Sequence, residues 1–568
     1  WTDYELGRSG RLTQPMVLEE GASHYKTISW NDAFELIADE LHSLDSPDEA
    51  IFYTSGRTSN EAAFLYQLFI RMFGTNNMPD CSNMCHESSG SGMVPVIGIG
   101  KGTVTLEDFE KAGAIFIFGQ NPGTNHPRML SSLSDAKAAG AKIVSINPLK
   151  EIGLQRFTHP QRMGDFLAGG RELTDLYLQV RINGDMALLK GIMKALLENE
   201  AKAPGTILDK AFIENKTLEF EDFAKDMALT SWEEITEESG LLEDDIRQAA
   251  KIYQEADGVI ICWAMGLTQH VNGVANIQSC LNLLLMGGNI GKHGAGACPV
   301  RGHSNVQGDR TMGIWEAPPD AFLDKLGEVF QFNPPRGHGL AVVPAIKAMH
   351  HEEVKVFVGM GGNFISATPD TEYTADALRK CNLTVQVSTK LNRSHLITGK
   401  KALILPCLGR TEIDKQQSGK QFVTVENSMG IVHRSQGHLA PASSHLLSEP
   451  AIVAGMAQAV LPDEVGPDWN ALKQDYNLIR DLVEQCIPGF ENFNERIQNP
   501  HGFALPNGPR DGTFPTPTGK ALFTVHPIPK HDIPDDHFMM MTIRSHDQYN
   551  TTIYGLDDRY RGILQVRR

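Results

Sequence analysis

Cysteine is scarce in this sequence, and no two cysteines form a CxxC pair. Eight in 568 residues (Cys81, Cys85, Cys262, Cys280, Cys298, Cys381, Cys407 and Cys486) are too few for a disulfide scaffold. The missing CxxC excludes a zinc ribbon or an ordinary cysteine-rich iron–sulfur motif within these residues. Reduced thiols and a cytoplasmic location are the expectation. Long apolar runs are also lacking. None reaches the length of a membrane span, and Leu283-Leu284-Leu285-Met286 stops at glycine. Basic residues are in deficit: Lys+Arg 51 against Asp+Glu 69 gives a net charge of −18. That argues against a nucleic-acid binder or a polybasic membrane-surface protein, while leaving room for a locally positive anion pocket. No GxGxxG follows a strand and no GxxxxGK[ST] occurs, and Gly98-Ile99-Gly100-Lys101-Gly102 lacks both the spacing and the hydroxyl of a phosphate loop. No secretory leader is recognisable, and a start at Trp1 rather than Met reads as a trimmed piece.

What is present is a repeated unit: a short apolar strand, a turn of Gly, Asn and Pro, then an amphipathic helix. Ser29 with Asp32 predicts a capped helix carrying Phe34, Ile37, Ala38 and Leu41. Thr58 with Glu61 predicts a capping box for the helix through Phe64, Leu65, Leu68 and Met72. Strands are predicted at 50–54, 114–118, 142–146, 259–264, 354–358, 383–387 and 402–405, and a helix at 129–139 stopped by Gly140. Strands that are apolar throughout are covered on both faces, as in parallel sheets. The chain therefore reads as α/β and multi-domain, with doubly wound sheets whose ligand lies beyond the carboxyl ends of the strands. Those ends are 119–123, Asn147-Pro148, Met265-Gly266, 359–363 and 388–390, rich in Gly, Asn and Pro. Residues 499–534 read as a connection, and 538–544 as the start of a new apolar strand.

Two segments carry candidate chemistry. In Asp80-Cys81-Ser82-Asn83-Met84-Cys85-His86-Glu87, a cysteine just before a helix is placed to favour a thiolate, suited to a soft metal or to nucleophilic chemistry. In 287–308, many glycines and amides surround Arg301, whose planar fork suits a carboxylate or phosphate.

These segments, with the order of the others, resemble the molybdopterin oxidoreductase superfamily, and most closely formate dehydrogenase catalytic subunits and a formate-dehydrogenase-like branch of undefined substrate. Cys85-His86 falls where that family has its cysteine or selenocysteine metal ligand and a catalytic histidine. Residues 118–127 resemble its guanine-dinucleotide loop, and Pro299-Val300-Arg301-Gly302 followed by Asn305-Val306-Gln307-Gly308 resembles its substrate-arginine signature. Residues 359–363, 403–406 and 516–520 follow in family order.

The resemblance implies a molybdenum or tungsten ion on two molybdopterin guanine dinucleotides, with Cys85 as protein ligand, His86 moving a proton and Arg301 orienting a small anionic substrate. It assigns cofactor contacts to Gly119, Asn121, Pro122, Asn125, Asn147, Gly266, Gln269, Gly288, Asn289, Gly361, Asn363, Asn392 and Arg544. Two Rossmann-like domains are implied around a cofactor cleft, one at 29–80 and 304–410, the other at 81–303. A peripheral remnant occupies 1–28 and 411–535, and the start of a C-terminal β-barrel occupies 536–568. An electron-transfer partner protein is implied. A 4Fe-4S cluster belongs to an N-terminal region these residues do not contain. Glu87-Ser88 replaces the family's usual Gly-Pro after the histidine, and a carboxylate there is expected to repel formate. A redox-inactive scaffold and a nitrate reductase are the rival readings.

Overall fold

Two sheets organise the chain, and the computed structural model describes residues 1–167, 169–549, 551–558 and 561–564. The first sheet has four parallel strands in the spatial order Lys401–Pro406, Leu383–Ser388, Val356–Met360, Ala50–Thr54. Met16–Leu18 pairs antiparallel with Lys401–Pro406, and Lys26–Thr27 pairs outside it. Part of the 1–28 segment, set apart in the sequence division, is thus hydrogen-bonded into this sheet. The second sheet is parallel throughout, ordered Gly296–Pro299, Val259–Trp263, Ala114–Phe118, Lys142–Ile146, Leu176–Leu178.

Ala50–Thr54, Ala114–Phe118, Val259–Trp263 and Val356–Met360 are buried at every position, because helices cover both faces of each sheet. On one face of the first sheet, Trp30–His42, Asn60–Phe73 and Glu449–Val460 contribute to one apolar core; on the other, Val342–His350 and Thr371–Arg379 contribute to a second. Glu87–Ile97, Asp185–Lys202, Glu243–Glu255 and Gly273–Met286 do the same on one face of the second sheet. This is the doubly wound arrangement expected from the apolar strands.

Local chemistry explains the boundaries. The Asp32 amide donates to Ser29 Oγ at 3.1 Å and starts Trp30–His42. Met129–Ala139 ends at Gly140, whose φ of 108° suits a glycine. The Thr58/Glu61 capping box does not form. Ser59 is the cap, accepting from the Ala62 amide, while Glu61 turns inward to Arg480. A buried cation competes for that carboxylate more strongly than a backbone amide.

The expected strand at 538–544 does not form either. Phe538 is 98% exposed and Met540 84%, and among the described residues no strand lies alongside to take its backbone hydrogen bonds. Gln548–Tyr549 and Thr552–Ile553 make a two-residue hairpin, and the described residues close no barrel.

The chain leaves the first sheet through 77–86 and returns through 300–305. Phe52 and Thr54 donate to the Asn77 and Pro79 carbonyls on the way out. On the way back the Asn305 amide donates to the Gly56 carbonyl, and its side chain to the Thr58 carbonyl at 2.7 Å. Both crossings sit at the carboxyl ends of strands, so the residues they carry meet there.

Candidate active site

Cys85 and His86 occupy the outgoing crossing. Cys85 follows the 3-10 turn Cys81–Met84, and His86 is the N-cap of Glu87–Ile97. The Cys85 thiol lies 3.6 Å from the Met265 thioether. Its backbone carbonyl is clamped by Gln269 Nε2 at 3.1 Å and Thr268 Oγ1 at 3.2 Å. Burial pushes the Cys85 thiol up to about 11, opposed by the charges of Arg301 and Arg544 and reinforced by Asp80. The helix N-terminus alone therefore does not make this cysteine a thiolate. A bound cation would, because a coordinating thiol is deprotonated outright.

His86 is 1% exposed. Its Nε2 lies 3.2 Å from the Val300 carbonyl, which only accepts, so Nε2 carries the proton. Nδ1 then accepts from Ser89 Oγ at 3.0 Å, and Ser89 in turn accepts from Trp263 Nε1 at 3.0 Å. Burial, with Arg301 nearby, pulls the imidazole down to about 3 and holds it neutral. Both ring nitrogens are committed inside the protein. Moving a proton through His86 requires breaking one of these bonds; holding the Val300–Arg301 loop does not.

Arg301 occupies the incoming crossing. Its amide donates to Ser428 Oγ, Nε to Gln307 Oε1 at 3.1 Å and Nη2 to the Gly100 carbonyl at 2.9 Å. Nη1 has no partner among the described residues, so the Nη1/Nη2 edge is the one left to face an anion. The Glu87 carboxylate accepts from Arg310 Nη2 at 2.9 Å and from Asn83 Nδ2 at 3.2 Å. Arg310 also grips the buried Asp80 through two bonds of 2.9 Å, and lies 3.7 Å from Glu316. Arg310 is shared among three carboxylates, and the Glu87 charge still acts on Arg301.

The other expected residues fall into three groups. At the second sheet's carboxyl end, Gly119 and Gly266 pack backbone to backbone, and a Cβ on Gly119 would sit 2.6 Å from the Gly266 carbonyl carbon. Gly123 and Gly153 cross in the same way, beside Asn121, while Pro122 and Asn125 bound the short helix Pro122–Asn125. Asn147 donates to the Gln120 carbonyl at 3.3 Å. These glycines serve loop crossings as much as ligand approach. At the first sheet's carboxyl end, Asn392 donates to the Gly362 carbonyl, Gly361 faces Ser55, and Asn363 donates to Asp3.

Gly288 and Asn289 are not brought to either group. Asn289 Oδ1 accepts from the Val259 amide at the start of Val259–Trp263, and Gly288 lies against Asp209. They sit at the opposite end of the sheet, because the strand Gly296–Pro299 separates the first half of the glycine-rich segment from Arg301. Arg544 lies on an irregular segment, close enough for its charge to favour the Cys85 thiolate.

Sequence reasoning missed Met265 as the neighbour of Cys85, Arg310 as the partner of Glu87, and the buried Glu426 behind Gln307. Met265 was signalled by its place in a strand-end loop. Glu426 had no local signal, since it comes from a hairpin 119 residues beyond Gln307.

Comparison with known proteins gives the family. A family model described as molybdopterin oxidoreductase matches residues 11–397. An uncharacterized oxidoreductase of Mycobacterium tuberculosis is 52% identical over 567 residues, covering 100% of this chain and 73% of the relative. Protein YdeP of Escherichia coli is 50% identical over 576 residues, covering 100% and 76%. The F420-dependent formate dehydrogenase 1 subunit alpha of Methanococcus maripaludis is 32% identical over 386 residues, 66% of this chain and 53% of that protein. Among solved structures, acetylene hydratase from Pelobacter acetylenicus matches with a TM-score of 0.67 at 18% identity, covering 90% of this chain and 69% of the other, a likeness of fold. With most of its length matched by the family and its chemistry-bearing residues gathered at one junction, the chain belongs to the molybdopterin oxidoreductase family.

Proposed function

We propose that the protein is a molybdenum- or tungsten-dependent oxidoreductase of formate-dehydrogenase-like type, acting on a small anion with a bis(molybdopterin guanine dinucleotide) centre. The observation that carries this reading is the meeting of Cys85 and Arg301 where the chain crosses between the two sheets. A soft donor and an always-charged fork each arrive from one crossing, close enough for the Arg301 charge to act on the Cys85 thiol.

The residues fit such a cofactor. Asn121 Oδ1 and Ser388 Oγ, one at each sheet's carboxyl end, are buried without a hydrogen-bond partner among the described residues. Buried polar atoms left in this way want a ligand's donors. Gly361 and Gly362, at φ of 74° and 84°, open the backbone beside Ser55. When bound, the cofactor supplies a metal that exchanges two electrons with substrate. The chain's own residues do the rest. Cys85 would ligate the metal, Arg301 would orient the anion through its Nη1/Nη2 edge, and His86 would hold the loop that carries Arg301. An electron-transfer partner protein and a cytoplasmic setting complete the proposal, the latter supported by eight free cysteines. No described helix is long and apolar enough to cross a membrane.

The test is steady-state kinetics of Arg301→Lys with formate and nitrate in the full-length, metal-loaded protein. Losing a charge-assisted contact costs about 1.5–3 kcal/mol, so kcat/KM for the anion turned over should fall roughly ten- to a hundredfold. An unchanged value would remove Arg301 from substrate binding. Turnover of another anion with none of formate would move the substrate assignment while leaving the site in place.

A further inference from the structure

Arg301 is held by a chain of contacts that ends outside the matched region, and the inference from it rests on the role proposed above for Arg301. Gln307 accepts from Arg301 Nε through Oε1 at 3.1 Å, and its Nε2 donates to Glu426 Oε1 at 2.7 Å and to the Asn427 carbonyl at 3.0 Å. Glu426 is 1% exposed and closes the strand Val423–Glu426. Lys101 Nζ donates to it at 2.7 Å, and Thr311 Oγ1 donates to its other oxygen at 2.5 Å. Gly100, next to Lys101, takes Arg301 Nη2, and Ser428, two residues past Glu426, accepts from the Arg301 amide.

An amide side chain can present either its oxygen or its nitrogen to a neighbour. A carboxylate only accepts. Glu426, together with the Asn427 carbonyl, therefore pins the Gln307 NH2 group and turns Oε1 toward Arg301. The reverse orientation would set NH2 against the Arg301 Nε–H, donor against donor. We propose that Glu426, neutralised by Lys101, is a positioning residue that fixes the Arg301 fork through Gln307 and so sets anion affinity at the active site.

The experiment compares Glu426→Gln, Arg301→Lys and the double variant in full-length, metal-loaded protein. Formate is the substrate, or nitrate if formate is not turned over, and thermal melting and metal content are measured alongside. Gln at 426 is uncharged and accepts more weakly than a carboxylate, so the Gln307 NH2 is held less firmly, with the Asn427 carbonyl as its other acceptor. Lys101 keeps Thr311 and partial access to water. Glu426→Gln should lower kcat/KM about tenfold, mainly through KM, with metal content retained. Because it acts through the fork, it should add little in the Arg301→Lys background. Full additivity, or an unchanged KM in Glu426→Gln while Arg301→Lys is impaired, would overturn the inference. No effect of Arg301→Lys itself would instead overturn the substrate role of Arg301. If Glu426→Gln fails to retain metal, Lys101→Met gives the same reading, since it removes the cation that anchors the Glu426 carboxylate beside Gln307. A normal KM in that variant would also overturn the proposal.

Discussion

Replacing Arg480 by Met should destabilise the fold around the first sheet. Arg480 is 1% exposed and Glu61 0%, and their side chains meet at 2.9 Å. Arg480 also donates to Asn494 at 2.7 Å and Asn477 at 2.9 Å, and its guanidinium stacks 4.1 Å from the Phe422 ring centre. Without it, the one hydrogen-bond donor left to Glu61 among the described residues would be the Thr424 amide, at 2.8 Å, with the Arg410 charge further off. Breaking one side of such a pair costs about 3–5 kcal/mol. In a cooperative unit of 150–250 residues each kcal/mol is worth roughly 2–4 °C, so the melting point should fall by roughly 6–20 °C. Removing both charges, Glu61→Leu with Arg480→Met, should recover most of the stability, since an apolar pair of similar volume is often neutral. Calorimetry on the three variants checks this. A single variant that melts within a degree or two of the parent, or a double variant no better than the single, would refute the argument that the carboxylate depends on this arginine.

Three other outcomes are expected. Cys85→Ser should weaken metal retention, read by elemental analysis, with the melting profile of the metal-free protein unchanged, because a hydroxyl ionises less readily than a thiol. Glu87→Gln should change kcat/KM for an anion by less than about threefold, since that carboxylate is paired with Arg310 and partly exposed to water; a larger gain would mean its charge reaches the substrate. Asp185, 4% exposed at the start of Asp185–Lys202, is raised by burial to about 7. The carboxyl's contribution to stability is complete below about pH 4 and is lost as pH rises through 7. Asp185→Asn should therefore stabilise at pH 8, by up to about 4 kcal/mol, and not at pH 4. Urea titrations at the two pH values measure the difference.

The sheets were legible because Ala114–Phe118 and Val259–Trp263 are unbroken apolar runs between turn residues, and burial on both faces imposes that pattern. Cys85 and Arg301 were legible as chemistry, but their meeting depends on two crossings with no periodicity of their own. Glu61 misled because a capping box and a buried ion pair call for the same residue, and only tertiary packing decides between them. Gly288 and Asn289 misled because a run of glycines looks like one loop when the four-residue strand Gly296–Pro299 hides within it. Glu426 was silent because its partners are remote in sequence.

The two crossings also set an order of assembly. All five strands of the second sheet lie between residues 114 and 299, while Ala50–Thr54 finds its neighbour only at Val356–Met360. During synthesis the inner lobe has every strand it needs before the outer sheet has its second parallel strand. The early strand Ala50–Thr54 must wait with one edge unpaired, an aggregation-prone condition in a growing chain. The segment at 77–80, which hydrogen-bonds to Phe52 and Thr54, covers the other edge with residues already made. A nascent chain stopped near residue 320 should thus contain all five strands of the inner sheet, still without the Phe514, Ala521, Phe523 and Ile528 side chains that complete its core, and an outer strand shielded on one side only, and chaperone engagement is expected at that stage.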